Sequence, residues 1–589
     1  MKDFIKYTFA TITGMVVVSV VMGLIGLVTI IGMVASNEAP VSVNDNSVMV
    51  INLSGTLEER VGNDVLGVIT GNESSNLSLE DMLSSIKKAK ENDKIKGIYI
   101  ESGVFSPDAP ASMKAIRDGL ADFKSSGKWI IAYADQYTQG TYYICSVADK
   151  VLINPQGMLD WHGLAAQSIY LKDMMAKFGV KMQLSKVGKY KSAPEMFTAD
   201  GMSEPNREQV TAYVNGIWKV MVKEVGESRK ITDDKLNEYA DRNMALVSAD
   251  EYLKLRLVDG IVYADEVKKE IKKRLGIKDD EDISQLSLAE MSGVEGKEQK
   301  GEEIAVYYAF GDIVESAPGG ISATSCIASE DVCRDLDELA DDDDVKAVVL
   351  RVNSGGGSAY ASEQIWHSVM NLKAKKPVVV SMGGYAASGG YYISCAANYI
   401  FAEPTTLTGS IGIFGMFPDF SGLLTEKLGV KFDEVKTNKH SAFGTQARPF
   451  NEEELAMLNE YIDRGYNLFR KRVADGRGMT VEAVEAVAQG RVWTGADALD
   501  QKLVDGMGGI GKAVEKAAQL AKLKEYKTVS YPEKPGILER LMDDISPKNN
   551  LDESMQEVLG EYYKPFALMK NISKHDAIQA RMPYIITIK

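Results

Sequence analysis

Apolar residues in this chain fall into short runs typical of strands, which alternate with longer runs that have helical spacing. Between residues 345 and 398, VKAVVLRV and PVVVSMG are typical of buried strands, while SEQIWHSVMNLKA and the segment that opens with SGGYYISCAAN are typical of helices. Strands and helices in this alternation imply parallel pairing, with the helices covering the faces of a sheet. The pattern therefore predicts an α/β fold.

The longest apolar run lies near the N-terminus. It extends over 28 residues from Tyr7 to Val34 without a charged residue, with two lysines before it and Glu38 after it. A secretory signal peptide has an apolar region of about 7–15 residues, whereas this run is long enough to cross a bilayer. We expect residues 1–36 to be a retained membrane anchor with its N-terminus in the cytoplasm, so that the rest lies outside it. A cleaved signal peptide is the alternative.

The chain contains an internal repeat. GTYYICSVADKVLINP at 140–155 matches GGYYISCAANYIFAEP at 389–404 without gaps, at an offset of 249 residues. Upstream, KGIYIESG at 96–103 corresponds to KAVVLRVN at 346–353, and downstream LVDGI corresponds to LVDGM. Self-similarity over such a distance indicates two copies of one module.

The repeat sets the expected domain boundaries. We predict a first α/β module at 46–292, a linker at 293–303 where Gly, Glu and Lys crowd together, and a second module at 304–531. Residues 532–589 form a C-terminal tail whose role the sequence leaves open.

Composition narrows the function classes. The chain is acidic, with 67 Lys and Arg against 83 Asp and Glu, and it has no basic stripe interleaved with aromatic residues, so nucleic acid is not an expected partner. Its four cysteines lack the spacing and the neighbouring histidines of a zinc site, and no metal or organic cofactor is expected. Cys326 and Cys333 either pair across a short loop or remain free thiols.

One serine has the surroundings of a nucleophile. Ser388 lies within GGYAASGG, directly after the predicted strand PVVVSMG. Chemistry on parallel sheets gathers at the carboxyl ends of strands, and small neighbours leave the backbone accessible to a substrate. A flexible linker and a plain turn are the alternatives. At the same position the first module has Gln139, so only the second module carries the serine.

A serine hydroxyl needs a base, and two residues compete for that role. The repeat offset aligns Lys191, in VGKYKSAPEMF, with His440, in KTNKHSAFGTQ. His440 with Ser388 would be a conventional pair inside one module. Lys191 would have to be neutral, which burial at an interface of modules can achieve by lowering its pKa by up to about 3–5 units. An ordinary surface lysine is the third possibility.

The expected oxyanion donors also belong to the second module. NSGGGSAYASE at 353–363 follows a predicted strand, whereas the matching segment of the first module is SGVFSPDAPAS. Main-chain N–H groups of glycines can approach a substrate without obstruction. We therefore expect Gly356 or Gly357, together with Gly389 beside the serine, to form the oxyanion hole, with Asn353 and Ser354 fixing the loop.

Several stretches together resemble one family. VNSGGGSAYASE, VVVSMGGYAASGGYYISCAANYI, PTTLTGSIGIFG, VWTGADALDQKLVDGMGG and VGKYKSAPEMF are similar, in order and spacing, to the signal peptide peptidase A family in its long tandem form, also called protease IV. The resemblance covers nearly the whole chain. One departure is Gly355, where the family often has proline, and we expect it to loosen the loop without removing the donors.

The resemblance implies a fold, an activity and a location. It implies two crotonase-like or Clp-protease-like modules, anchored in the bacterial inner membrane and facing the periplasm, that hydrolyse remnant signal peptides with a serine/lysine dyad. It implies that the first module supplies Lys191, that the second supplies Ser388, and that Ser410 in LTGSIG helps to hold the lysine. It also implies a bowl-shaped homotetramer.

Two other functions fit parts of the sequence. An acyl-CoA enzyme would use the same type of fold, although an extracytoplasmic location separates the chain from acyl-CoA. A non-catalytic membrane scaffold would explain the duplication, although the retention of a serine and a lysine at one composite site favours catalysis.

Overall fold

The chain folds into two α/β modules behind an N-terminal helix. A computed structural model describes residues 2–37, 41–61, 76–297, 299–317, 326–534, 555 and 578–582. The first helix, α1 (Lys2–Asn37), contains an 18-residue window from Lys6 to Gly23 with mean hydropathy 1.4, long and apolar enough to cross a membrane. This helix is the predicted anchor segment.

The first module is built on a parallel sheet. Its strands are β1 (Ser47–Glu58), β2 (Asn76–Ser78), β3 (Ile95–Ser106), β4 (Trp129–Tyr137), β5 (Lys150–Leu159), β7 (Gly260–Ile261) and β8 (Gln285–Ser287). They pair in the order β2-β1-β3-β4-β5-β7, with β8 also on β1. Strand β6 (Lys181–Lys186) does not belong to this sheet.

Helices of the first module cover the sheet with apolar faces. They are α2 (Leu79–Glu91), α3 (Pro110–Ser125), α4 (Gln139–Cys145), α5 (Lys172–Lys177), α6 (Glu195–Thr198), α7 (Glu204–Arg229), α8 (Asp233–Asp241), α9 (Ala249–Lys254), α10 (Ala264–Leu275) and α11 (Leu288–Ser292), with a 3₁₀ turn at Met244–Leu246. Buried residues of α2 recur as Leu79, Met82 and Ile86, the spacing expected when one helix face packs on a sheet.

The second module repeats this plan. Its main sheet contains β9 (Glu302–Phe310), β12 (Val345–Ser354), β14 (Val378–Ala387), β15 (Tyr399–Ala402), β16 (Leu407–Gly409), β18 (Val492–Thr494), β19 (Gly506–Met507) and β20 (Tyr526–Tyr531). The order is β18-β16-β14-β12-β9-β20, with β15 on β14 and β19 on β15. All pairs are parallel except β16 with β18. The predicted parallel α/β fold is confirmed.

The helices of the second module follow the strands as the sequence pattern indicates. They are α12 (Ser329–Asp341), α13 (Ala359–Lys375), α14 (Gly389–Ser394), α15 (Glu452–Arg477), α16 (Val481–Val487), α17 (Gly495–Asp500) and α18 (Ile510–Ala521), with a π turn at Leu423–Lys427. The predicted strand, helix, strand, helix order of residues 345–398 is thus β12, α13, β14 and α14.

A third sheet joins segments that are far apart in the sequence. It contains β10 (Asp312–Val314), β11 (Cys326–Ala328), β13 (Gly356–Ser358), β17 (Phe414–Asp419), β21 (Ile578–Arg581) and β6, in the order β11-β10-β13-β21-β17-β6. Strand β6 comes from the expected first module and β21 from the expected tail. The third sheet therefore combines strands from both expected modules and from the expected tail, and β9 begins at Glu302, within the residues expected to form the linker.

Candidate active site

Ser388 sits at a tight turn between β14 and α14. Its φ of 54° and ψ of −110° lie in a region that costs a non-glycine residue about 1–3 kcal/mol. Its N–H donates to the carbonyl oxygen of Gly409 at 2.8 Å, and the residue is fully buried. The hydroxyl of Ser388 lies between Lys191 Nζ, at 2.7 Å, and the carbonyl oxygen of Gly412, at 3.5 Å.

Lys191 reaches this serine from the other module. Strand β6, five residues upstream, pairs with β17 along its whole length, from Lys181 opposite Asp419 to Lys186 opposite Phe414. The chain then turns back, and Lys191 Nζ lies 2.7 Å from Ser388 Oγ. The structure therefore brings together the two residues that the sequence placed in one composite site.

Ser410 accepts hydrogen bonds from the Lys191 amine. Lys191 Nζ donates to the carbonyl oxygen and to Oγ of Ser410, both at 3.1 Å. A neutral amine has two N–H groups and one lone pair, so two bonds to Ser410 leave the lone pair facing the hydroxyl of Ser388. This is the geometry that a general base needs.

Burial lowers the pKa of the Lys191 amine. Its side chain is fully buried, and a methyl group at Gly412 would lie 3.3 Å from its Cδ. At Gly490, where φ is 79°, a methyl group would lie 2.6 Å from its Cβ. Desolvation in this close-packed channel lowers the pKa of the Lys191 amine well below its ordinary value.

The loop that contains Gly355, Gly356 and Gly357, called the glycine loop below, lies beside Ser388. Gly356 has φ of 103°, and a methyl group there would lie 2.8 Å from the nitrogen of Gly389, the first residue of α14. Gly357 lies within β13, opposite Ile313 of β10. The three expected oxyanion residues are thus grouped at Ser388. The N–H of Gly356 donates to Ser354 Oγ at 3.1 Å.

Two side chains fix this loop as expected. Ser354 Oγ donates to the carbonyl oxygen of Gly311 at 2.6 Å. The amide oxygen of Asn353 accepts from the N–H of Tyr385 at 3.1 Å, and its nitrogen donates to Asp108 of the first module at 2.9 Å. The loop is therefore tied both to its own module and to the other one.

A buried ion pair close to the loop also joins the modules. Arg351 Nε of β12 donates to Glu59 Oε1 at 2.5 Å, and both side chains are at most 6 % exposed. The guanidinium also donates to Ser381 Oγ and to the carbonyl oxygen of Met382. Sequence reasoning missed this pair, although an arginine inside the apolar run VKAVVLRV was a usable signal, because a buried strand carries a charge only when that charge is paired.

Other candidates lie elsewhere. His440 is in an exposed segment, where its Nε2 lies 3.8 Å from Glu453, and His367 lies on α13. The side chain that lies against the Ser388 hydroxyl is therefore Lys191, and His440 lies elsewhere. Cys326 and Cys333 are free, and the described residues contain no group of His, Cys, Asp and Glu that could hold a metal ion.

A buried lysine lies against a serine at a strained turn, within two tandem α/β modules, and a serine held in this way is typical of serine hydrolases. Comparison with known proteins is consistent with this class. Peptidase family S49 matches residues 122–278 and 370–524, one match in each module, and Clp protease matches residues 322–406.

Similar proteins cover most of the chain. Protease 4 of Salmonella typhi is 37 % identical over 82 % of this chain and 78 % of its own. Protease 4 of Haemophilus influenzae is 35 % identical over 85 % and 84 %, and the chloroplastic serine protease SPPA of Arabidopsis thaliana is 29 % identical over 92 % and 78 %. The chain belongs to peptidase family S49 and is a serine protease of that family.

Proposed function

We propose that the chain is a membrane-anchored endopeptidase that works through an acyl-enzyme, with Ser388 as nucleophile and Lys191 as general base. The observation that carries the proposal is the distance of 2.7 Å between Lys191 Nζ and Ser388 Oγ in a fully buried site. A lysine with lowered pKa can accept the hydroxyl proton, which a protonated lysine cannot.

The reaction takes two steps. Ser388 Oγ attacks the carbonyl carbon of the substrate while its proton passes to Lys191 Nζ, and the N–H groups of Gly389 and Gly357 stabilise the oxyanion, because the N–H of Gly356 already donates to Ser354 Oγ. The protonated amine then gives its proton to the leaving nitrogen as the peptide bond breaks. A water molecule, deprotonated by the same amine, then attacks the ester carbonyl. The bond from the carbonyl carbon to Ser388 Oγ breaks, the protonated amine returns its proton to Oγ, and the acid is released.

The substrate class follows from the surroundings of the serine. The groove beside Ser388 is lined by β13 and β17, whose backbones can pair with an extended peptide. Helix α1 would hold this groove near a bilayer, where leftover signal peptides are found. Anchorage in the bacterial inner membrane, a periplasmic catalytic domain and a homotetramer complete the proposal, and they rest on the family resemblance and on α1.

The proposal is tested on the full chain in detergent. A serine-directed phosphonate should add one label at Ser388, detected by intact mass and peptide mapping, and a peptide ester should be hydrolysed. Ser388→Ala should lose the label and lower turnover by about 10⁴-fold or more, with an unchanged melting temperature. Residual turnover above a few per cent, or a label at another serine, would contradict the assignment. Binding of coenzyme A without ester turnover would favour an acyl-CoA enzyme.

A further inference from the structure

A buried glutamine of α7 binds the backbone turn that carries Lys191. The side chain of Gln209 is fully buried. Its Nε2 donates to the carbonyl oxygen of Tyr190 and to Oγ of Ser192, both at 3.0 Å. These two residues flank Lys191 in the sequence, so one amide group holds the chain on both sides of the lysine. Residues 190–192 are called the lysine turn below.

The oxygen of the same amide binds the second module. Gln209 Oε1 accepts from the N–H of Val492, the first residue of β18, at 3.0 Å. Strand β18 pairs with β16, and just beyond this pair the carbonyl oxygen of Arg491 accepts from the N–H of Ser410 at 2.7 Å. Gln209 therefore joins the lysine turn of the first module to the strands next to Ser410, which accepts from the lysine amine.

The partners of this amide fix its orientation. The N–H of Val492 can only donate, and the carbonyl oxygen of Tyr190 can only accept. A rotation of the amide by 180° would bring its N–H groups against the first and its oxygen against the second. Asn206 Oδ1, also buried on α7, accepts from Nε2 at 3.3 Å. The side chain of Gln209 is therefore held at both ends and keeps the distance between the lysine turn and β18.

The distance between these two segments decides whether the amine reaches the serine. The backbone of Lys191 belongs to the first module, whereas its Nζ binds Ser388 and Ser410 of the second. Gly412 and Gly490 pack closely against the lysine side chain, which limits its freedom to compensate for a shift of the turn. A shift of 1 Å in a reacting group can cost about 10²-fold in rate. The position of the lysine turn is thus part of the catalytic geometry.

We propose that Gln209 is a positioning residue, which places the Lys191 amine against Ser388 by tying the lysine turn to β18. This inference rests on the proposed function and adds to it a residue of α7. Gln209 acts through Lys191 and has no chemical step of its own. Its loss should therefore slow proton transfer and leave substrate binding unchanged.

The first test removes the amide from the full chain in detergent. Gln209→Met keeps the length of the side chain and should lower kcat for a peptide ester on the order of tenfold, with KM within about twofold of the parent. Gln183→Met is the matched control, because Gln183 of β6 also joins the modules, with its Oε1 accepting from the N–H of Phe450 at 2.6 Å. The control should keep the kcat of the parent. An unchanged kcat in Gln209→Met, or an equal loss in both variants, would overturn the inference.

A shorter amide guards against misfolding of the methionine variant. Gln209→Asn stays polar but lacks one methylene, so its amide cannot reach both Val492 and the lysine turn. It should lower kcat in the same direction, with KM unchanged. The kcat of the parent in Gln209→Asn would contradict the positioning role.

A double-mutant cycle with Lys191→Ala separates positioning from general support of the site. Since Gln209 acts through the lysine, Gln209→Met should not lower further the residual ester turnover, or the rate of phosphonate labelling of Ser388, in a chain that carries Lys191→Ala. The same fold loss with and without Lys191 would show that Gln209 only stabilises the contact between the modules, and would overturn the inference. Full activity of Lys191→Ala alone would instead refute the proposed function.

Discussion

The two modules build the same turn in different ways. In the first, α4 begins at Gln139 after Thr138, whose φ of −68° and ψ of 159° are ordinary for an N-cap, and whose Oγ1 accepts from the N–H of Thr141. In the second, α14 begins after Ser388, which has a strained backbone and no side-chain cap. The strained backbone occurs at the turn that carries the Ser388 hydroxyl. The equivalent turn of the first module has no such serine, and its helix begins with an ordinary N-cap at Thr138.

The side chain of Gln139, at the position that corresponds to Ser388, makes hydrogen bonds to the neighbouring backbone. Its Nε2 donates to the carbonyl oxygen of Gly163, and its Oε1 accepts from the N–H groups of His162 and Gly163, all at 3.0 Å. Where the second module has a reactive group, the first has three local hydrogen bonds.

The loops that follow the equivalent strands β3 and β12 diverge as well. The second module carries the glycine loop, whereas the first carries Asp108 and Ala109, which reach across to the second. Asp108 accepts from Asn353, and a methyl group at Gly384 would lie 2.2 Å from Cβ of Ala109. The first module thus supports the glycine loop of the second, in addition to supplying Lys191.

The strongest test of this asymmetry removes each of the two candidate bases, Lys191 and His440, in a separate variant. Lys191→Ala should lower kcat by about 10²–10⁴-fold, because it removes the amine within hydrogen-bond distance of Ser388 Oγ, while His440→Ala should retain full activity. Steady-state hydrolysis of a peptide ester measures both. If the histidine variant were inactive and the lysine variant active, a pair within the second module would replace the shared site.

The ion pair between the modules should have the next largest effect. Glu59→Met leaves the buried Arg351 without its partner and should cost about 3–5 kcal/mol of unfolding free energy in denaturant titrations. Adding Arg351→Met should restore much of this loss. Glu101 is exposed and stands at the repeat position of Arg351, so Glu101→Gln is the matched control, with a change within about 0.5 kcal/mol. Equal losses of unfolding free energy at Glu59 and Glu101 would show that the ion pair between Glu59 and Arg351 does not stabilise the contact between the modules.

Ser410 tests how the lysine is held. Ser410→Ala removes one of two acceptors for the amine, worth about 0.5–1.5 kcal/mol, so kcat should fall by roughly threefold to tenfold. The rate of the parent should rise with pH through an apparent pKa well below that of free lysine, because only the neutral amine accepts a proton.

The pH profile of kcat distinguishes a role of Ser410 in holding the Lys191 amine from a general effect on the stability of the protein. Loss of an acceptor disfavours the cation, so the midpoint in Ser410→Ala should stay the same or move to lower pH. Ser47→Ala, at a buried serine of β1 in the first module, should change neither kcat nor the midpoint. A midpoint near the pKa of free lysine in the parent would refute a neutral Lys191.

The smallest effect is expected at the relaxed turn. Thr138→Ala removes the cap of α4 and should lower the unfolding free energy by about 1 kcal/mol with activity unchanged. Gln139→Ser, at the position that corresponds to the nucleophile, should gain no phosphonate label, because His440, the repeat counterpart of Lys191, lies exposed beside Glu453. A second label per chain would show that the first module retains a working site.

Much of the second module could be predicted from its sequence. The runs VKAVVLRV and PVVVSMG are β12 and β14, because apolar runs of that length must be buried and strands in this order pair in parallel. The position of Ser388 shortly after the run PVVVSMG likewise predicts that it lies at the carboxyl end of a strand. Periodicity did not predict β6 or β21, since both pair with strands from distant parts of the chain.

The sequence by itself determined the repeat, the order of elements and the asymmetry between Ser388 and Gln139, because these depend on residue type and local spacing. Only the tertiary structure decided that Lys191 rather than His440 meets the serine, that Glu59 pairs with Arg351, and that Ala580 lies at the glycine loop. Each of these contacts joins residues about 190 or more positions apart. Their formation depends on how the modules and the tail dock, which is set by the complementary shape of packed surfaces and leaves no period in the chain.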